Sequence, residues 1–237
     1  IVIMELLEKR SWPRLSVYVK IILTTTLFLN LFATAAVLIL EFNNPNTLGM
    51  LEGFWSKLLA AWFQGVTPRT AGFNTLEIGA LTAGTSVLML LLMFIGGAPN
   101  STASGIKIST FFILITATKS FLQGNLNVSF FGRSLSRETL LKALATATIG
   151  MATIFIAVFM LTIFVKDDFL DIAFEVVSAF GTVGLSRGTT SELGTAGQLI
   201  IMAVMLIGRL GPLTLGYTLT VRHKSHVKYA TTEFPVG

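Results

Sequence analysis

Residues 67–75 read Thr-Pro-Arg-Thr-Ala-Gly-Phe-Asn-Thr, and residues 181–188 read Gly-Thr-Val-Gly-Leu-Ser-Arg-Gly. At an offset of 112 residues, Thr70-Ala71-Gly72-Phe73 falls on Thr182-Val183-Gly184-Leu185, and Ile95-Gly96 falls on Ile207-Gly208. Two separated matches at one offset mark a tandem repeat. Each copy follows a short apolar stretch, about Leu51 to Val66 and Asp168 to Phe180, that is too short to cross a bilayer as a helix. Each half therefore reads as an outer helix, a short re-entrant helix, a Gly-containing loop, and an inner helix with a break.

The flanking sequence fits that plan. Ile21 to Leu40 is a charge-free run long enough to span the hydrocarbon, and a third run from about Leu140 to Val165 is a plain spanning helix. The second run starts near Leu81, is interrupted from Gly96 to Gly105, and resumes to about Thr118. The fourth runs from about Gln198 to Val221 and is broken at Gly208-Arg209-Leu210-Gly211-Pro212. Of the 237 residues, 53% are hydrophobic and only 12% are charged, about half the charge of a soluble domain. Mean hydropathy is +0.77. A soluble enzyme and intrinsic disorder are both excluded, and without cysteine there is no disulfide framework, thiolate metal site or cysteine nucleophile.

The net charge of +5 matters less than its placement. Residues 1–20, 119–142 and 222–237 hold eleven Lys or Arg against four acids, whereas residues 41–80 and 166–197 hold eight acids against four bases. The positive-inside rule then puts both ends of the chain in the cytoplasm. Residues 127–133 carry a turn signal for a small cytoplasmic hairpin. The chain opens on Ile1-Val2-Ile3 without an initiator Met, and reads as part of a longer protein.

Irregular backbone inside a bilayer persists only where protein buries it or where it lines a watery path. A short helix followed by Thr-x-Gly is the chemistry of a cation filter, in which backbone carbonyls replace the hydration shell of a monovalent ion. Gly72 and Gly184 are expected at φ > 0, turning those carbonyls inward. Thr70 and Thr182 add hydroxyl oxygens, and Ala71, Val183, Phe73 and Leu185 wedge the bends against their surroundings. One Thr-x-Gly is weak, since both residues serve helix packing in membranes; repetition after short helices favours the filter.

The loop Gly96-Gly97-Ala98-Pro99-Asn100-Ser101-Thr102-Ala103-Ser104-Gly105 is too polar and too long for a simple kink. Its composition fits a segment hanging in a water-filled cavity below the filter. Arg209 sits in the corresponding break of the last helix, where a mid-membrane charge costs about 2.5 to 3.5 kcal/mol on insertion scales. None of the twelve acids lies in a predicted span to partner it, so Arg209 is read as a barrier or gate to cations. Lys107 either snorkels or binds loop carbonyls. Of Glu41, Glu52, Glu77, Asp167, Asp168, Asp171 and Glu175, most are read as helix caps rather than as cation-focusing charges. Arg222, His223, Lys224, His226 and Lys228 form a basic juxtamembrane tail that suits anionic lipid or a partner, with no metal or catalytic site.

TPRTAGFNT, GGAPNSTASGIK (96–107), GTVGLS and IGRLGP (207–212) together resemble the Trk/Ktr/HKT superfamily of potassium transporters, and within it the bacterial KtrB-type membrane subunits. The resemblance covers essentially the whole chain, and GGAPNSTASGIK is its most specific part. It implies an all-α polytopic membrane protein built from membrane-helix, pore-helix, filter and membrane-helix units around a pseudo-fourfold pore. The chain then divides into a cytoplasmic lead-in (1–20), the third of four pore units (21–118), a cytoplasmic connector (119–142), the fourth pore unit (143–221) and a cytoplasmic basic tail (222–237). The resemblance further implies that 96–105 is an intramembrane gating loop and that Arg209 lies near it.

By the same resemblance potassium is the transported ion and sodium a candidate activator. The implied partners are a second KtrB-like subunit, as a homodimer, and a KtrA-like cytoplasmic ring that carries the nucleotide. Membrane lipid surrounds the chain in a bacterial inner membrane, and no nucleic acid is expected. Each filter copy departs from the potassium-channel sequence Thr-Val-Gly-Tyr-Gly by holding one glycine, with Asn74 and Ser186 where a second would lie. A Trk-type subunit of the same superfamily, and a secondary cation transporter with alternating access, are the alternatives. No nucleophile, base and oxyanion set is visible, so no enzyme is expected.

Overall fold

The computed structural model describes residues 2–99, 101, 103–125 and 127–211. Helix α1 (Val2–Lys9) folds back on the start of helix α2 (Val17–Glu41), because the Glu5 carboxylate accepts from Lys9 Nζ at 2.8 Å, Ser16 N at 2.5 Å and Ser16 Oγ at 2.8 Å. The lysine contact and the two serine donors hold the Glu5 carboxyl down at about 2, against an ordinary 4.5. Ser16 caps α2, accepting from Val19 N. Its 25 residues give α2 a length of about 37 Å, enough to cross the hydrocarbon.

Helix α3 (Phe54–Val66) is 13 residues, about 20 Å, and cannot span. Helix α4 (Ala83–Phe94) is capped twice: Thr82 Oγ1 accepts from Thr85 N, and the fully buried Glu41 carboxylate accepts from Thr82 N at 2.9 Å. Helix α5 (Ile108–Leu122) resumes after the break. Strands β1 (Ser129–Phe130) and β2 (Arg133–Ser134) then form an antiparallel hairpin around Phe131-Gly132, both at positive φ, where the turn signal placed one. Helix α6 (Arg137–Phe164), capped by Ser136, is about 42 Å long. Helix α7 (Phe169–Gly181) matches α3 in length, and helix α8 (Thr195–Leu210) closes the described chain. By length and composition, α2 and α6 are the two described helices able to cross a membrane unaided.

The short helix α7 is the most enclosed element, with every residue from Ile172 to Gly181 buried. It lies between α4, through Met89, Met93, Phe174 and Val177, and α6 with α8, through Leu161, Val176, Phe180, Ile201 and Val204. Helix α2 packs along α3 and also meets α4 and α5. By contrast Phe155 on α6 is 76% exposed and Ile163 64% exposed. Apolar faces left open at that scale mark surfaces that meet a membrane or a further protein surface.

The expected break at 208–212 begins later than its first three residues. Gly208, Arg209 and Leu210 are helical, and α8 ends only at Gly211, whose φ of 85° caps it. Gly208 serves another purpose: a Cβ there would stand 2.0 Å from the Phe180 carbonyl oxygen. It is the point where α8 crosses the end of α7, and only a residue without a side chain permits that approach. Pro212 and the basic tail at 222–237, including His223 and His226, lie outside the described residues.

Candidate functional site: two touching backbone bends and a pinned loop

Both short helices end in the same backbone figure. Thr70 has φ 65° and Gly72 φ 73°; Thr182 has φ 48° and Gly184 φ 89°. Ala71 and Val183 between them keep negative φ, so the hand of the backbone alternates. Alternation brings successive N–H groups to one edge of the chain and successive carbonyls to the other. Both glycines thus take the expected conformation. The two threonines were not expected to share it, because a β-branched residue at positive φ is a true outlier. Holding it costs about 1 to 3 kcal/mol, and it occurs here at equivalent positions of a repeat.

Local hydrogen bonds enforce the bends. Ala71 N and Gly72 N donate to the Thr67 carbonyl at 3.2 and 3.4 Å, while the buried Thr67 hydroxyl donates to the Phe73 carbonyl. In the second copy, Thr182 N and Val183 N donate back to the Ala179 and Ser178 carbonyls at 3.0 and 2.9 Å, and Leu185 N donates to Ser178 Oγ at 3.0 Å.

The two bends meet. A Cβ built on Gly72 would lie 2.1 Å from the Val183 carbonyl oxygen and 3.9 Å from Gly184 Cα. Surroundings differ between the copies: Val183 and Leu185 are buried against Met89 and Met93, whereas Ala71 is exposed and Phe73 is 72% exposed. Packing against the surroundings is thus present at Val183 and Leu185, which α4 covers through Met89 and Met93, and missing at Ala71 and Phe73. A cavity of about 360 Å³ opens beside the second bend, lined by Glu175, Ser178, Thr182, Ser186 and Thr190 among others. Glu175 is 7% exposed; its Oε1 accepts from Thr190 Oγ1 at 2.6 Å, and its Oε2 has no hydrogen-bond partner among the described residues.

Between α4 and α5 the chain leaves the helix line and returns to it. Ile95 and Ile106 lie side by side, Gly96 N donates to the Ile106 carbonyl at 2.8 Å, and Ile106 N to the Phe94 carbonyl at 3.1 Å. This neck is tight enough that a Cβ on Gly96 would be 1.8 Å from the Ser104 carbonyl oxygen. The loop does not hang free, as its polarity suggested. Ala103, Ser104 and Gly105 are buried, Tyr18 Oη donates to the Pro99 carbonyl at 3.1 Å, and Lys107 Nζ donates to the Ala103 carbonyl. Gly97 and Ala98 are half-buried and Ser101 is exposed; Asn100 and Thr102 lie outside the described residues. Thr182 Oγ1 donates to Ser104 Oγ at 2.9 Å, which joins the second bend to this loop. Arg209 is exposed in the last turn of α8, within electrostatic reach of Lys107.

The acidic residues act less as caps than as acceptors for the connecting loops. Asp168 stands at the N-cap of α7 without a side-chain cap bond. Asp167 accepts from Thr189 Oγ1 at 2.6 Å, and Asp171 pairs with Arg187. Glu41 alone among them accepts a helix-starting N–H in the described residues, while also accepting from Thr47 Oγ1 at 2.7 Å and Asn44 Nδ2 at 2.6 Å. Arg187 was not singled out by sequence, since an arginine in a polar loop carries no signal of the contacts it makes.

A profile of the family described as TrkH, cation transport protein, matches residues 15–228. The Ktr system potassium uptake protein B of Bacillus subtilis (strain 168) is 44% identical over 236 residues, covering 100% of this chain and 53% of that protein. The protein of the same name from Vibrio alginolyticus is 41% identical over 226 residues, covering 93% and 49%. The crystal structure of the potassium transporter TrkH from Vibrio parahaemolyticus matches with a TM-score of 0.69 at 21% identity, over 83% of this chain and 43% of that one, which shows a shared fold. The chain spans about half the length of the curated relatives it matches.

Proposed function

Because the chain belongs to the TrkH cation transport family, we propose that it supplies two pore units of a potassium uptake pathway. Residues 21–118 and 143–221 are the units, 1–20 a cytoplasmic lead-in, 119–142 a connector and 222–237 a basic tail. Potassium is the ion named for the Bacillus and Vibrio relatives. In this reading carbonyls of Thr70 to Phe73 and of Thr182 to Leu185 replace part of the ion's hydration shell. The observation that carries it is the alternating-hand figure at both bends, with the Gly72 side-chain position set against the Val183 carbonyl. Strain repeated at equivalent threonines is the kind that persists where backbone geometry has a task.

Below the bends, the loop at 96–105 is the gate and Arg209 the fixed positive charge near it. The Thr182–Ser104 bond supports this, since it places the loop against the base of the second bend. An inside-negative potential contributes about 2.3 kcal/mol per charge per 100 mV, which drives uptake with no catalytic step. The setting is a bacterial inner membrane with both ends of the segment cytoplasmic; the partners are a second such subunit and a nucleotide-binding ring, with sodium as an activator. The test is potassium uptake by cells lacking their own uptake systems. The native transporter should restore growth at low potassium; a transporter present in the membrane that fails to do so, or that exchanges potassium for a counter-substrate, contradicts the reading.

A further inference from the structure

Arg187 follows the second bend closely, yet it is no part of the repeat, for its equivalent at the 112-residue offset is Thr75. Its side chain is only 12% exposed. Nε donates to Asp171 Oδ1 on α7, in its own half of the chain. Nη1 donates to Ser86 Oγ at 2.6 Å, and lies 3.3 and 3.4 Å from the carbonyl oxygens of Ile78 and Leu81. All three belong to the other half, around the start of α4. The backbone closes in as well: a Cβ on Gly79 would sit 3.1 Å from the Arg187 carbonyl oxygen.

We propose that Arg187 is a positioning residue that sets the spacing between the two bends. Apart from such polar bonds, the seam between the halves includes apolar contact among Ile78, Leu81, Val183 and Leu185, and apolar attraction is non-directional. A planar guanidinium instead donates in fixed directions to both halves. The segment between it and the bend is stiff, since Leu185 N is held by Ser178 Oγ. A shift of Arg187 is therefore transmitted to the Val183 carbonyl that faces Gly72. Lysine cannot replace it, because a single ammonium lacks the fork that reaches Asp171, Ser86 and the carbonyls together.

This rests on reading the bends as an ion filter, and the test keeps the two apart. In the native transporter, uptake affinities and maximal rates for potassium and sodium are compared for Arg187→Gln, Arg187→Lys, Ser86→Ala and Gly72→Ser. The preference for potassium should fall roughly tenfold in Arg187→Gln and Arg187→Lys, the scale of one lost charge-assisted hydrogen bond. Ser86→Ala should move it the same way by less. A purely structural role lowers the maximal rate for both ions alike and leaves the preference intact, which would overturn the proposal. Should the arginine variants fail to reach the membrane, Ser86→Ala decides: an unchanged preference overturns the proposal. If Gly72→Ser abolishes the preference while the Arg187 and Ser86 variants keep it, the filter stands and the clamp falls. If Gly72→Ser also keeps it, the filter reading itself has failed.

Discussion

Thr182 Oγ1 and Ser104 Oγ are 2.9 Å apart, although 78 residues separate them in the chain. One bond thus ties the left-handed residue that opens the second bend to the buried return of the loop at 96–105. A neutral hydrogen bond is worth about 0.5 to 1.5 kcal/mol net, so with the loop as the proposed gate its removal shifts the closed-to-open balance by roughly two- to twelvefold. Ser104→Ala should raise potassium uptake within that range under conditions where the native transporter is mostly shut. Thr182→Ser, which keeps the hydroxyl, should raise it less.

Gly208→Ala should lower thermal stability. Its new methyl group meets the Phe180 carbonyl at 2.0 Å and forces α8 off the end of α7, an overpacking cost of about 1 to 3 kcal/mol. Gly84→Ala is the matched control, because the nearest atoms to its methyl are Leu40 side-chain carbons at 3.7 and 3.8 Å. Thermal unfolding in detergent should show a drop of several degrees for the first, and none for the second.

Glu41→Gln should destabilise the start of α4. The carboxylate is fully buried and accepts from Asn44, Thr47 and Thr82 at once. An amide offers one acceptor oxygen and turns two donors toward groups that are themselves donors. Hydrogen bonds to a charged group are worth about 1.5 to 3 kcal/mol, so a loss near that size is expected by thermal unfolding, with faster amide exchange at Thr82.

Acid should release the lead-in. Glu5 is held at about 2 in the folded chain against an ordinary 4.5, so the stabilisation it brings is complete above the higher value. It is lost as pH falls from about 4.5 toward 2. Trp12, in the turn between α1 and α2, is a local reporter. Its fluorescence should change across that window in the native protein and be flat in Glu5→Gln.

Much of the fold was legible in the chain because the membrane imposes it. The apolar runs predicted α2 and α6 to within a few residues, and the offset of 112 located α3 and α7. Gly72 and Gly184 were readable at positive φ because glycine signals it. Thr70 and Thr182 were not, since nothing in a threonine announces strain imposed by its neighbours. The break was readable at 208–212 but begins only at Gly211, because a glycine for close approach, Gly208, and a glycine for a bend, Gly211, are the same letter. The pinning of the loop by Tyr18 and Ser104, and the reach of Arg187 across the two halves, depend on tertiary distances between residues 78 to 109 apart in sequence, which no local pattern encodes.

The sharpest trial is ion discrimination in Gly72→Ser, read as potassium against sodium flux through the native transporter at matched membrane levels. The added side chain falls where the Val183 carbonyl oxygen now stands, so that carbonyl must turn away. Potassium preference is expected to collapse, with sodium flux rising toward that of potassium. An unaltered preference at undiminished flux would contradict the account.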